Sequence, residues 1–298
     1  MKARTARPTR LSPRRFKALF LRIFVVKKYS FLTIHNIDFN NMTSIKPTLG
    51  FIGIGLMGKP MCLRLLDAGF NVNIWNRSPE KLQAIIQAGA IAHDSIAELV
   101  KTSEVIILCL ADTAAVESIV RNDIALVGTT GKMLIDLSSI HPENTRQLAT
   151  LLNEKCGMDW VDAPVSGGVA GAEQGTLAIM AGGSEKNIEI ARIVLAPLYT
   201  QLTHMGEVGC GQITKICNQM IVSCNVLVIA EMMALAKQAG VDAKQIPAAL
   251  AGGFADSKPL QIVGNQMATG TFEPVKWRVK TLLKDLNMAI DLSTQQGN

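Results

Sequence analysis

No C-x-x-C pair and no cysteine–histidine cluster with metal-ligand spacing occurs in this chain, although it holds six cysteines and four histidines. That argues against a metal site, and with scattered cysteines a reducing compartment fits best. Cys210, Cys217 and Cys224 fall seven residues apart. On one helix they would share a stripe, but neighbours about 10 Å apart along the axis cannot be bridged. They read as small apolar packing residues. The histidines form no H-x-x-x-H arrangement, so none is assigned to catalysis. Internal repeats and low-complexity segments are also missing.

Acidic residues are nearly absent from the first 41 positions, where ten Lys/Arg face one acid, Asp38. The remaining 257 positions carry 20 basic and 23 acidic residues, so the formal charge of +6 belongs to a tail and the body is mildly acidic. A nucleic-acid partner is therefore not expected. Three readings of the tail stand: an Arg-rich transit peptide, a nucleic-acid or membrane arm, or upstream sequence preceding a true start at Met42. The last is favoured, because periodic sequence begins just after Met42. The run Ala18–Val26 is too short and too charged to span a bilayer, which needs about 20 apolar residues. A cytoplasmic location is expected, or an organellar one if residues 1–41 act as a transit peptide.

What is present is a chain 48% hydrophobic and 18% charged, enough for one large or two medium soluble domains with a substantial core. Thr48–Ile54, Asn71–Trp75, Val105–Leu110 and Met133–Leu137 are short apolar runs with helical patterns between them. Gly55–Ala68 is expected to be a helix closed by Gly69, and Pro79–Gln87 one capped by Ser78. Strands alternating with helices predict an α/β fold, a doubly wound parallel Rossmann sheet. Trp160–Asp162 and Leu177–Ala181 add strands around a glycine-rich loop. From Gly211 to Gln238 the chain predicts one long helix, apolar nearly all round and hence buried. Ser223, Asn225 and Glu231 inside it argue against a membrane span. Helical segments follow. The expected division is a basic extension over 1–46, a dinucleotide-binding domain over 47–208 and an all-helical part over 209–298.

Gly53-x-Gly55-x-x-Gly58 follows a strand and opens a helix. Gly53 permits the tight turn, Gly55 lets backbone approach a pyrophosphate, and Gly58 lets helix and strand pack closely. The helix N-terminus offers free N–H groups to the phosphates. At the end of the second strand an NAD site usually places Asp or Glu for the ribose hydroxyl. Here Asn76-Arg77-Ser78 stands instead, with Lys81 a turn later. A guanidinium without a carboxylate suits a 2′-phosphate, so NADP is expected over NAD.

Two further motifs carry candidate chemistry. Asp162-Ala163-Pro164-Val165-Ser166-Gly167-Gly168 is a polar loop whose Ser166 and backbone N–H groups could hold a carboxylate. Within Gly209–Gln219, Lys215, Asn218 and Gln219 lie at i, i+3 and i+4 and share one helix face. A lysine beside two amides is either a working amine or a snorkelling side chain.

Four segments occur in order: GFIGIGLMGKPM at 50–61, DAPVSGGVAGAEQGTLAIMAGG at 162–183, GCGQITKICNQ at 209–219 and KDLNMA at 284–289. Together they resemble the β-hydroxyacid dehydrogenase family over about residues 47–291. The resemblance implies an NAD(P)-dependent oxidoreductase that moves a hydride between nicotinamide and a small β-hydroxy acid or semialdehyde. It implies Lys215 as the catalytic acid–base, with Ser166, Gly167, Gly168 and Asn218 on the substrate. Gly53, Gly55, Leu56, Met57, Gly58, Asn76, Arg77, Ser78, Leu110, Ala111, Ser139 and Lys284 are implied on the cofactor side. Leu110-Ala111-Asp112 stands where the family often has Leu-Pro-Asp, a change expected to affect loop rigidity. Gly252–Lys258 resembles the family's tartronate semialdehyde reductases more than its 3-hydroxyisobutyrate dehydrogenases. Members also continue past the KDL helix, so the helical part is expected to be incomplete and any homo-oligomer weakened. A non-catalytic dinucleotide-binding module is the alternative of another class.

Overall fold

The computed structural model describes residues 46–273 and 279–297, which fall in one compact unit. The basic extension over 1–46 lies outside the described residues except for Lys46. Strands β1 (Leu49–Ile52), β2 (Val72–Trp75), β3 (Ile91–Ala92), β4 (Val105–Leu108), β5 (Met133–Asp136) and β6 (Asp159–Asp162) are all parallel, in the order β3-β2-β1-β4-β5-β6. That is the doubly wound arrangement, with its reversal point between β1 and β4. The sheet continues through β8 (Leu177–Gly182), antiparallel to β6, which also pairs with β7 (Val165–Ser166) and β9 (Tyr199–Gly206).

The central strands are apolar runs because both sheet faces are covered. Every residue of β1, β4 and β5 is buried. Alternate side chains feed opposite cores. Phe51, Ile107 and Ile135 enter one. Ile52, Ile106, Leu108 and Leu134 enter the other. A third, small cluster around Ile229, Met233, Leu260 and Val263 lies among the helices that follow the sheet.

The long helix spans Cys210–Gln238, one residue earlier than expected. Its burial corrects the sequence reading. Only Gly211, Gln212, Ile216, Ser223, Ile229 and Met233 are buried, while Ile221, Leu227, Val228 and Leu235 are each more than 60% exposed. The helix packs on β6, β8 and β9, on Pro142–Cys156, on the turn Leu260–Gly264 and on the helix Val279–Gln295, and among the described residues these cover only part of its circumference. By length and composition it is also long and apolar enough to cross a membrane. Cys217 and Cys224 are exposed rather than packed, and all six cysteines are free thiols.

Other local differences have local causes. The stretch expected as Pro79–Gln87 divides into a 3-10 turn, Pro79–Lys81, and a short helix, Gln83–Gln87, and the Ser78 side chain makes no capping bond. The loop expected after β6 contains β7 and a helix, Gly168–Gln174.

The glycine motif sits at the reversal point. Gly53 takes φ +106°, and a Cβ there would stand 2.3 Å from the Cys109 carbonyl oxygen at the end of β4. A Cβ on Gly58 would stand 2.0 Å from the Gly53 carbonyl oxygen. Both obstacles are backbone, which cannot swing aside. Gly58→Ala is therefore expected to lower stability by at least about 1–3 kcal/mol, measured as a urea midpoint. An unchanged midpoint would show that the first turn can lift from the strand at little cost.

Candidate active site

The helix Gly58–Asp67 starts directly from the glycine loop, and no side chain caps its first N–H groups. A Cβ on Gly55 would meet nothing within 4 Å, in contrast to Gly53 and Gly58. Open space thus faces the backbone at the glycine expected to take the close approach of a pyrophosphate, so the loop could hold a dinucleotide. Leu56 is 71% exposed beside it. Asn76 ties the loop to β2: its Oδ1 accepts from the Ile54 N–H at 2.9 Å and its Nδ2 donates to the Ser78 carbonyl at 2.8 Å. Both ends of this amide are engaged with backbone, so Asn76 shapes the cradle. Arg77 points into solvent.

The next group forms where β4 and β5 end. The Ser138 hydroxyl accepts from the Leu110 N–H at 2.9 Å. Lys284, on the helix Val279–Gln295, donates to the carbonyls of Ser139 at 2.5 Å and Ala111 at 3.3 Å. Asp112 caps the helix Thr113–Ile119 by accepting from the Ala115 N–H. The loops after two neighbouring strands are thereby stapled to a helix 173 and 145 positions further along.

Lys215 lies on the second turn of the long helix. Asp162, the last residue of β6, holds the start of that helix by accepting from the Gly209 N–H at 2.7 Å and the Gln212 N–H at 2.9 Å. Gln212, 1% exposed, donates to the Ser138 carbonyl and accepts from the Ile140 N–H. Beyond this clasp, Lys215 Nζ donates to Gln219 Oε1 at 3.1 Å, Asn218 Nδ2 donates to the same oxygen at 2.9 Å, and Gln219 Nε2 donates to Asp285 Oδ2 at 2.6 Å. Asp285 Oδ1 accepts from the Ser139 hydroxyl at 3.1 Å and sits 3.2 Å from Lys284 Nζ. Burial pulls the Lys215 pKa down to about 8; the Asp285 carboxylate opposes that shift and the Lys284 ammonium reinforces it. An amine so placed can hold or release a proton near neutral pH.

Of the residues expected at the site, one continuous network joins Lys215, Asn218, Ser139, Ala111 and Lys284. The glycine loop, Asn76 and Ser78 form a second group at the same edge of the sheet. Ser166, Gly167 and Gly168 lie at the end of β7, with positive φ at both glycines and open space beside Gly168. Among the described residues they make no hydrogen bond to the lysine network. Asp285, Gln212 and Asp162 were not singled out from sequence. Asp285 adjoins Lys284 in the KDL segment and Asp162 opens the glycine-rich loop, so position in a motif was the available signal. The loop at 252–258 is pinned by Asp256, which accepts from the Gly252 N–H and from Gln261, and leaves Phe254 fully exposed.

A glycine cradle at the reversal point, with a poised lysine facing the ends of β4 and β5, defines a nicotinamide-dependent dehydrogenase acting on CH–OH groups. Residues 48–206 match the family model described as the NAD binding domain of 6-phosphogluconate dehydrogenase. Residues 209–298 match that described as NAD-binding of NADP-dependent 3-hydroxyisobutyrate dehydrogenase. The chain belongs to the β-hydroxyacid dehydrogenase family. It is 36% identical over 244 residues to the 2-hydroxy-3-oxopropionate reductase of Escherichia coli (strain K12), covering 81% of this chain and 82% of that one. Its fold is similar to Mycobacterium tuberculosis 3-hydroxyisobutyrate dehydrogenase solved with L-serine, at TM-score 0.77 and 30% identity over 85% of this chain and 89% of that one. It is also similar to Psf3 in complex with NADP+ and 2-OPP, at TM-score 0.76 and 28% identity over 82% and 86%.

Two buried carboxylates beneath the site respond to pH. Asp136 and Asp162 are register partners across β5 and β6. Burial pushes Asp136 up to about 7, and the Asp162 charge adds to this against the opposing bonds from Ser138. Burial likewise pushes Asp162 up to about 6 against the N–H groups it accepts from. Folded Asp136 thus keeps a proton that the unfolded chain releases near 3.8. Its contribution to stability is complete below that value and is lost as pH rises toward about 7. Asp136→Asn is expected to flatten the fall of the urea midpoint across that window. A slope equal to that of the wild type would assign the pH dependence elsewhere.

Proposed function

We propose that the protein reduces 2-hydroxy-3-oxopropionate to glycerate with NADPH, Lys215 exchanging the proton at the carbonyl oxygen. The observation that carries this reading is the half-buried Lys215 amine, held by Gln219 and tied through Asp285 to the loop after β5, with Lys284 beside Asp285 reaching the loop after β4. In reduction the protonated amine donates to the carbonyl oxygen; in oxidation the neutral amine takes the hydroxyl proton. When bound, the nicotinamide supplies or accepts the hydride. Ser166, Gly167 and Gly168 would receive the substrate carboxylate, and Asn218 would contact the substrate beside Lys215. Gly53, Gly55, Leu56, Met57 and Gly58 would hold the pyrophosphate, with Leu110, Ala111, Ser139 and Lys284 toward the nicotinamide half. Arg77 and Ser78 would take a 2′-phosphate, the basis for preferring NADP to NAD.

The similarity to the Escherichia coli reductase supports this substrate, as does the 252–258 stretch. 3-Hydroxyisobutyrate is the second reading, supported by the likeness to the Mycobacterium tuberculosis dehydrogenase. We place the boundary between the dinucleotide-binding and helical parts at 208/209, supported by the gap between the two family matches. Six free thiols support a reducing compartment, which we read as the cytoplasm or, if residues 1–41 act as a transit peptide, an organelle.

A panel of short hydroxy acids and semialdehydes with NADPH and NADH tests the substrate. The highest kcat/KM is expected for 2-hydroxy-3-oxopropionate, and clear preference for another member would displace it. Lys215→Ala is expected to lose about 10²–10⁴-fold in kcat while binding NADPH as before; near-normal turnover would leave a dinucleotide-binding module without this chemistry. Arg77→Ala is expected to lower kcat/KM for NADPH and spare NADH. Equal effects on both cofactors would remove the 2′-phosphate assignment.

A further inference from the structure

We propose that Asp285 is a positioning residue: it fixes which end of the Gln219 carboxamide faces Lys215, and so holds the lysine amine in place. The proposal rests on the reading of Lys215 given above and goes beyond it.

A carboxamide has a donor end and an acceptor end of nearly the same shape, so its neighbours decide its orientation. Two donors, Lys215 Nζ and Asn218 Nδ2, converge on Gln219 Oε1 at 3.1 and 2.9 Å. On the other side, Asp285 Oδ2 accepts from Nε2 at 2.6 Å. An ionised carboxylate only accepts. Turning the amide over would set Oε1 against the carboxylate oxygen and Nε2 against two donors, replacing three hydrogen bonds by three repulsive contacts. Asp285 is 2% exposed, and its remaining oxygen is held by the Ser139 hydroxyl and Lys284. It therefore cannot turn aside to relieve a reversed amide.

Lys215 and Gln219 are four positions apart, so the amide that Asp285 orients lies directly beside the amine. Asp285 comes from a different helix, which makes the amine's placement depend on the docking of Val279–Gln295. Among the described residues, the charged groups that act on Lys215 are Asp285 and Lys284, both on that helix. On the sheet side, Asp162 is engaged by the N–H groups of the helix start and Asp136 by Ser138.

Asn at 285 can offer either end of its own amide, so it loses the bias while keeping the shape. In oxidation of the most active hydroxy acid of the panel, Asp285→Asn is expected to lower kcat about tenfold with a much smaller change in KM. The limb of kcat/KM that rises as Lys215 loses its proton should move about one pH unit toward acid, because a carboxylate favouring the ammonium is gone. Gln219→Met removes the relay but leaves Asp285. If Asp285 acts through Gln219, the double variant should be no slower than the slower single variant. Losses that multiply would overturn the proposal, as would an Asp285→Asn enzyme with the wild-type kcat and limb. Should Asp285→Asn fail to fold, Gln219→Met decides alone, and full turnover there would equally overturn it. Unchanged turnover in Lys215→Ala is a separate result, and it would remove the reading on which the proposal stands.

Discussion

One carboxylate, Asp162, holds the lysine-bearing helix to the sheet. It closes β6 and accepts the first free N–H groups of the helix that carries Lys215. The fit leaves no room for side chains around it. A Cβ on Gly182 would stand 2.6 Å from Asp162 Oδ1, and one on Gly211 would stand 2.7 Å from Asp162 Oδ2. A carboxylate at a helix N-terminus satisfies orphan donors and meets the positive end of the helix dipole. With this clasp in place, Gln212 on the first turn reaches the loop after β5, and Lys215 on the second turn is tied to that loop through Gln219, Asp285 and Ser139. The fold thus converts one strand-end residue into the position of an amine five residues beyond the helix start.

Charge around that amine is balanced locally. Lys284 and Asp285 are sequence neighbours on one helix, and both act on Lys215 with opposite sign. Lys284 is itself committed to two backbone carbonyls and Asp285 to Ser139 and Gln219. Burial then tips the lysine toward its neutral form without isolating it from a donor–acceptor network. The same edge of the sheet carries Asp136, whose Oδ2 is buried with no hydrogen-bond partner among the described residues, in keeping with a carboxyl that retains its proton.

Much of this was legible in the sequence. The strands β1, β4 and β5 announce themselves because both their faces are buried, which leaves largely apolar runs, and β2 follows the same spacing with Asn73 as its one polar residue. The glycine motif and the lysine–amide face follow from spacing alone. What sequence obscured has physical causes. β9, Tyr199–Gly206, is mostly polar, with Leu202 its one buried residue, so no apolar run marks it. The start of Gly168–Gln174 is hidden in a run of glycines that reads as a loop. Asp285 lies in the KDL segment, but nothing local marks its role, because its partners Ser139 and Gln219 lie 146 and 66 positions away. The long helix deceived in the opposite sense: uniform apolarity reads as burial, yet the described residues cover only part of it.

If Lys215 is the acid–base, its amine must meet a bound substrate. A crystal structure with NADP+ and an unreactive hydroxy acid is the direct measurement. Nζ of Lys215 should lie within about 2.6–3.2 Å of the substrate hydroxyl, with the carboxylate against Ser166–Gly168. An amine turned to bulk solvent, with the hydroxyl held by another group, would contradict it.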